Sequence, residues 1–305
     1  MSLAMVHSVT TPAAHTIASR AMLCSVNVRQ WTARKIDKKA TREVTEANGA
    51  SYDAARVNKL LVAKESLAEM VAIAGAARAA HLAMTLPWLD DGTRILPAMV
   101  FQRHTTTMRN YRERFEASVS AFCAAYPALV ADAPRSLQGL YNPADYPSVD
   151  NIRARFGFRV SFSPLPDSND FRVDMDSDVV AQIRADMERE RADVLGSTVT
   201  LTAERMRETL ESMVTRLSGY RTREETGGRA EGAFHESVVN SVRELVELLP
   251  AFNLTDDSRI TDLTERMKAE LCGHSAAELK ESADLRKDTI KAADDILAKV
   301  GSFFG

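Results

Sequence analysis

Phe101–Tyr126 reads FQRHTTTMRNYRERFEASVSAFCAAY. In it Phe101, His104, Met108, Tyr111, Phe115, Val119, Phe122 and Tyr126 recur at spacings of three and four. That period puts them on one face of a helix, as a seam sustained over nearly four heptads. A helix of this length needs either a core or another helix to cover it. The stretch therefore predicts a mainly α-helical protein built on long, coiled-coil-like packing. Pro97 suits the first turn of this helix, where its missing N–H costs nothing. Pro127, Pro134, Pro143 and Pro147 are expected to break the chain into a connecting region after it.

Working outward towards the N-terminus, Val26 and Val28 alternate with polar residues, a short strand ending near Trp31. A helix is expected next, with Ile36, Ala40, Val44 and Ala47 inward and Asn48-Gly49 as its stop. A longer one is expected from about Asp53, burying Val57, Leu60, Leu61, Leu67, Val71 and Ala74. Ala72, Ala74, Gly75, Ala76, Ala77, Ala79 and Ala80 are small, which predicts a close, buried helix crossing there. Asp91-Gly92 is a turn signal.

Beyond the prolines comes the one clear β pattern. Phe156, Phe158, Val160 and Phe162 alternate with smaller or polar residues, then SPLPDSND (163–170), then Phe171, Val173 and Met175. This reads as an antiparallel hairpin, with Val26–Trp31 available as a third strand. The rest is helical: a charged stretch from Asp178 to Leu195, then Thr202–Tyr220. A Gly227-Gly228 break follows, then Glu231–Leu249 closed by Pro250, and Asp256–Leu271. Ser275 and Glu278 form a capping box for the last helix. The fold class is mainly α with a small antiparallel β element. The expected organisation is a tail over 1–22, a helical domain over 23–140, the hairpin region over 141–177 and a second helical domain over 178–305.

The 305 residues are 45% hydrophobic and 27% charged, the balance of a folded chain rather than a disordered one. Residues 1–150 hold 17 Lys+Arg against 13 Asp+Glu, and residues 151–305 hold 22 against 29, so any anion-binding surface belongs to the first half. Cys24, Cys123 and Cys272 form neither a CxxC pair nor an even set, which suggests a reducing compartment. Met1–Met22 has no basic leader with an apolar run, and Met70–Met84 is too short and polar to span a bilayer. A cytoplasmic protein without a membrane partner is expected.

No lysine follows a glycine, so there is no P-loop, and no Gly-x-Gly-x-x-Gly occurs. His235-Glu236 lacks the second zinc-binding histidine, since Val239 stands there. Asp174-x-Asp176-x-Asp178 starts like a calcium loop but has Val179 and Ala185 where glycine and glutamate belong. No cofactor or metal is expected. His104, on the apolar seam, reads as a core histidine. The sharper surface is basic. Lys35, Lys38, Lys39 and Arg42 fall at i, i+3, i+4 and i+7 on an expected helix spanning 34–42. Arg34 starts it, and Arg29 and Trp31 lie just upstream. Such a stripe beside an aromatic could hold phosphates and stack a base. It is equally an ordinary solvated face, diluted by Asp37, Glu43 and Glu46.

Three stretches carry a resemblance. They are Val28-x-x-Trp31-x-x-Arg34-Lys35-x-Asp37-Lys38-Lys39-Ala40; Tyr146-Pro147 with Ile152-Arg153 and Phe156-x-Phe158; and Ser163-Pro164-Leu165-Pro166 with Asp170-Phe171-Arg172-Val173. Together they resemble a family of uncharacterised tailed-phage and prophage proteins, often encoded near MoxR-type AAA+ ATPases. The resemblance implies a phage accessory protein in the host cytoplasm, and it carries over no catalytic residue. The expected function is non-enzymatic: contact with itself, as an oligomer, or with an ATPase partner. A nucleic-acid-binding module is the second class and an enzyme with dispersed site residues the third.

Overall fold

The apolar seam folds as one helix and outruns its expected end. The computed structural model describes residues 17–88, 91–166 and 177–304. Its elements run α1 (Ile17–Arg20), β1 (Ala21–Arg29), β2 (Arg34–Ile36), α2 (Lys38–Ala47), β3 (Asn58–Leu60), α3 (Glu65–Ala83), β4 (Leu86–Pro87), β5 (Arg94–Pro97) and α4 (Phe101–Leu137). There follow α5 (Val149–Arg153), β6 (Gly157–Pro164), α6 (Ser177–Ser218), α7 (Arg223–Thr226), α8 (Glu236–Phe252), α9 (Ser258–Leu271), α10 (Ala276–Glu281) and α11 (Ala283–Phe304). The protein is mainly α-helical with a small antiparallel sheet, and α4 and α6 reach 37 and 42 residues. No helix among the described residues is long and apolar enough to cross a membrane.

The chain divides into two compact units, each assembled from separated segments. The smaller holds Ser25–Ala83 and Gln102–Ser161, and the larger holds the remainder. In the larger unit, Met206, Leu210, Met213 and Leu217 line α6 at helical spacing and are fully buried. They share a core with Val239, Val242 and Leu249 of α8, Ile260, Leu263 and Met267 of α9, and Ala293, Ile296 and Val300 of α11. Each such Val, Leu, Ile or Met side chain contributes about 1.5–3 kcal/mol by leaving water. The connections are capped. Ser275 and Glu278 form the expected capping box, but it heads the short α10 rather than the last helix, α11; Thr222 and Glu225 form another at α7. Gly227 ends α7 in the left-handed conformation (φ 69°) that favours glycine. The Arg286 guanidinium ties this corner down, donating to Glu225 Oε2 at 2.7 Å and Leu279 O at 3.0 Å. In the same unit β5 pairs antiparallel with β4 and with the first half of β1, Leu23 opposite Ile95. β1 then continues into the smaller unit beside β6, which completes the order β4-β5-β1-β6.

The smaller unit packs α3 and α4 over an aromatic core. Phe115, Phe122 and Tyr126 of α4 meet Trp31, Phe156, Met70 and Ile73, and Met108 is also buried. Phe122 stands 6.1 Å from Trp31 and 5.8 Å from Phe156, in tilted and edge-on geometries that suit ring quadrupoles. A second, two-stranded sheet pairs β2 with β3, Arg34 opposite Leu60.

Several expectations need correction. Pro127 and Pro134 lie inside α4 rather than ending it. Both are exposed, and Leu129, Val130 and Ala133 keep the apolar stripe going, so packing outweighs two lost backbone bonds. Pro250 likewise sits within α8. The expected helix over 34–42 does not exist as such: Arg34–Ile36 is a strand, and α2 begins at Lys38 after the N-cap Asp37. Its inward residues are Thr41 and Thr45, while Ile36 and Val44 face solvent. Thr41 Oγ1 donates to Asp37 O at 2.7 Å and accepts the Val57 N–H at 3.0 Å, so a polar anchor sets the helix's rotation. The helix expected from Asp53 starts only at Glu65. Val57 is half-buried, and Asn58–Leu60 is strand. The charged stretch from Asp178 and the apolar stretch to Tyr220 are one helix to Ser218. Of the hairpin, β6 is present; Phe171, Val173 and Met175 lie outside the described residues.

Candidate interaction site

The smaller unit concentrates the surface features worth testing. Successive helical residues turn by about 100°, so Ala68, Ala72, Ala76 and Ala79 share one side of α3. Gly75 and Val71 lie beside them. All six are exposed, as is Leu82, with Val71 57% exposed and Leu82 48%. The opposite side buries Leu67, Met70, Ile73, Ala74, Ala77 and His81. The buried crossing expected on the small residues thus holds for Ala74 and Ala77, and the other small side chains face outward. Two of the charged residues of α3 are tied back to the unit. Glu69 accepts from Ser118 Oγ at 3.1 Å, and Arg78 donates to Val28 O at 3.0 Å. An uncharged outward face over four turns is left.

Beside this face lies a groove of about 520 Å³, lined by Trp31, Leu60, Val62, Leu67, Ala68 and Val71 together with Gln30, Thr32, Arg34 and Lys64. Trp31, Val62 and Leu67 are buried and form its apolar base. The Gln30 amide donates to Met70 O at 2.9 Å, anchoring the segment after β1 to α3.

The structure separates the seven basic-stripe candidates. Trp31 and Arg34 line the groove, but Trp31 is 7% exposed, its ring wedged against Phe122 and Tyr126. Arg29 lays its guanidinium beside Gly157, where a Cβ would stand 3.5 Å from Nη2. Lys39 pairs loosely with Glu43 at 3.9 Å, and Lys38 and Arg42 are exposed on α2. Lys35 leaves the stripe altogether and joins a network of ion pairs at the foot of the β2–β3 sheet.

In that network Lys59 is buried between two carboxylates. Its Nζ lies 2.9 Å from Asp37 Oδ2 and 2.7 Å from Asp145 Oδ2, and it donates to Leu140 O at 2.8 Å. Lys35 Nζ reaches Asp145 Oδ1 at 2.7 Å. The Ala40 N–H and then Lys59 hold the Asp37 carboxyl below its ordinary range. Burial pushes Asp145 up, but the hydrogen bonds from Lys35 and Lys59 outweigh it and leave the group lowered. For Lys59, burial pulls down and the two carboxylates together pull further up. Lys59 Nζ makes two hydrogen bonds and an ion pair within 3 Å, so the ammonium is a clasp rather than a reagent. Sequence gave no signal for it: Asp37 read as a diluting acid, and Asp145 fell in the proline-rich connection.

His104, expected as a core histidine, is fully buried in α4, with its Nε2 2.9 Å from His81 Nδ1 of α3. Burial pushes His104 down to about 4, so its ring is neutral at physiological pH. In the larger unit the Cys24 thiol is pushed up to about 12 by burial, which keeps it protonated. Compared with known proteins, the chain matches no family model, no curated protein and no solved structure.

Proposed function

We propose that the protein works by contact with another protein chain through the outward face of α3, and that its first partner is a second copy of itself. The observation that carries this reading is the uncharged, small-residue surface from Ala68 to Leu82, exposed along four turns. Ala68, Ala72, Gly75, Ala79 and Leu82 repeat at spacings of four and three, the period of a helix–helix seam. The pattern is also self-complementary. In an antiparallel crossing about a two-fold axis between Ala72 and Gly75, those two residues face each other, and Ala68 faces Ala79. Such a contact is isologous, as most homodimer interfaces are, and it sets the two helix dipoles head to tail. Small side chains let the backbones approach closely, and Val71 and Leu82 flank the seam.

Sedimentation or light scattering across a concentration series tests this, with Ala72→Glu as the variant. Ala72 is exposed, so the substitution leaves the fold intact while placing a carboxylate in each half of an apolar seam. The expected result is a wild-type dimer and a variant whose dissociation constant is at least tenfold weaker. A wild type that remains monomeric at the highest attainable concentration overturns self-association. The resemblance to phage proteins encoded near MoxR-type ATPases supports an ATPase as the other occupant. In that case such an ATPase co-purifies with the wild type and is lost with Ala72→Glu.

A further inference from the structure

The groove beside α3 carries chemistry that a bare contact face does not need. Its base is apolar, formed by Trp31, Val62 and Leu67, and Val71 stands beside it more than half exposed. Both charged side chains that line it, Arg34 and Lys64, are cations. Neither forms an ion pair among the described residues, whereas nearby Lys35, Lys39 and Lys59 each have a carboxylate partner. Two exposed cations beside an apolar trough of about 520 Å³ complement a molecule that is apolar at one end and anionic at the other. The geometry points to a binding site for a free amphiphilic carboxylate, of which a medium-chain aliphatic acid is the simplest member.

Two other ligand classes fit less well. A small inorganic anion makes no use of the trough. A nucleic-acid base needs an open aromatic face, and Trp31 spends its ring on Phe122 and Tyr126, at 6.1 and 6.0 Å. An aliphatic chain needs only apolar wall, which Leu60, Val62, Leu67 and Val71 supply, while Arg34 and Lys64 attract the carboxylate. This inference does not rest on the self-association reading.

Trp31 supplies the readout. The chain has two tryptophans, so Trp88→Phe leaves Trp31 as the reporter. In this background, decanoate titrated below its micellar concentration shifts the fluorescence saturably. Each buried methylene strengthens binding about fourfold, so decanoate binds about fifteenfold tighter than octanoate. Decanol, of equal length without the charge, binds at least fivefold more weakly than decanoate. Arg34→Ala combined with Lys64→Ala brings decanoate down to the decanol value and leaves decanol unchanged. Leu60→Phe, which narrows the trough and keeps both cations, weakens both ligands. Circular dichroism confirms the fold of each variant. Ala72 does not line the groove, so Ala72→Glu keeps decanoate binding saturable although Ala68 and Val71 belong to both surfaces. Equal affinity for decanoate and decanol, insensitivity to the double substitution, or no saturable signal overturns the proposal.

Discussion

Replacing Lys59 by Met removes the charge that buried Asp145 and half-buried Asp37 share, while roughly keeping the volume of the side chain. In the wild type, Lys59 Nζ lies within 2.9 Å of Asp37 and Asp145 and also satisfies the Leu140 carbonyl. Breaking a buried ion pair from one side costs about 3–5 kcal/mol, because the remaining charge is left uncompensated. Two features pull this case to the lower end. Asp145 keeps Lys35 at 2.7 Å, and Asp37 keeps the Ala40 N–H at 3.0 Å. The expected loss is therefore about 3 kcal/mol at pH 7. Denaturant unfolding, followed by Trp31 fluorescence in the Trp88→Phe background, reports on the smaller unit.

The pH dependence sharpens the test. Asp37 and Asp145 have folded-state values below their ordinary ones, so the stability they contribute is fully present above the unfolded value, near 3.9. It is lost as pH falls through the lower folded values. Lys59 is raised, so its contribution is present below about 10.4 and disappears only at higher pH. In Lys59→Met the stranded carboxylates take up protons more readily. The gap between variant and wild type should then narrow below about pH 4. Adding Asp145→Asn to Lys59→Met should recover part of the loss, giving a non-zero coupling in the double-mutant cycle. A loss under about 1 kcal/mol at pH 7, or a gap that widens in acid, would refute the reasoning that Lys59 clasps these elements together.

Two further outcomes follow from other parts of the molecule. His104 is pushed down to about 4 by burial, so its folded form resists protonation that the unfolded chain accepts near 6.5. Stability should fall by about 2–3 kcal/mol as pH drops from 6.5 to 4. His104→Gln should flatten that part of a stability–pH profile. Gly232 adopts φ +74°, and a Cβ there would stand 2.0 Å from Gly219 O, so Gly232→Ala should cost about 2 kcal/mol or more. Thermal unfolding checks this, with Gly228→Ala as the tolerated control, since nothing lies within 4 Å of its Cβ position.

What was legible in the sequence was periodic, and what was not was relational. Met108, Phe115, Phe122 and Tyr126 announced a helix and its buried side because their spacing alone decides both. Ser275 with Glu278 announced a cap because the motif is local. Arg34–Ile36 was misread as helix because its strand state depends on a partner, Asn58–Leu60, twenty-odd positions away. Pro127 and Pro134 were over-weighted, since a proline's local cost is felt only if tertiary packing does not exceed it. The α3 residues show the same limit from the other side. Composition marked them as a surface for close approach, yet no count of alanines says which of them meet the chain's own core. Of the interaction site, Trp31 and Arg34 were singled out by sequence, though as part of a stripe. Lys64, Leu60 and Val62 come to them only through the turn from β3 into α3.

The interleaving of the two units has a consequence for how the chain is made. Synthesis proceeds from the N-terminal side, and the path passes between units after Cys24, after Ala83, after Phe101 and after Ser161. When Leu23 is added to the chain, its sheet partner Ile95 is still some seventy residues from being translated. Neither unit can close on its own nascent segment. The smaller must wait for Phe156, and the larger for the helices that follow residue 177. Leu61, Leu67, Met70 and Ile73 therefore stay open to whatever chaperones attend the tunnel exit until Phe156 has been made. For the same reason, a truncation after Ala83 or Phe101 yields a fragment without Phe115, Phe122 and Phe156 of the smaller core, whereas one after Ser161 keeps that core whole.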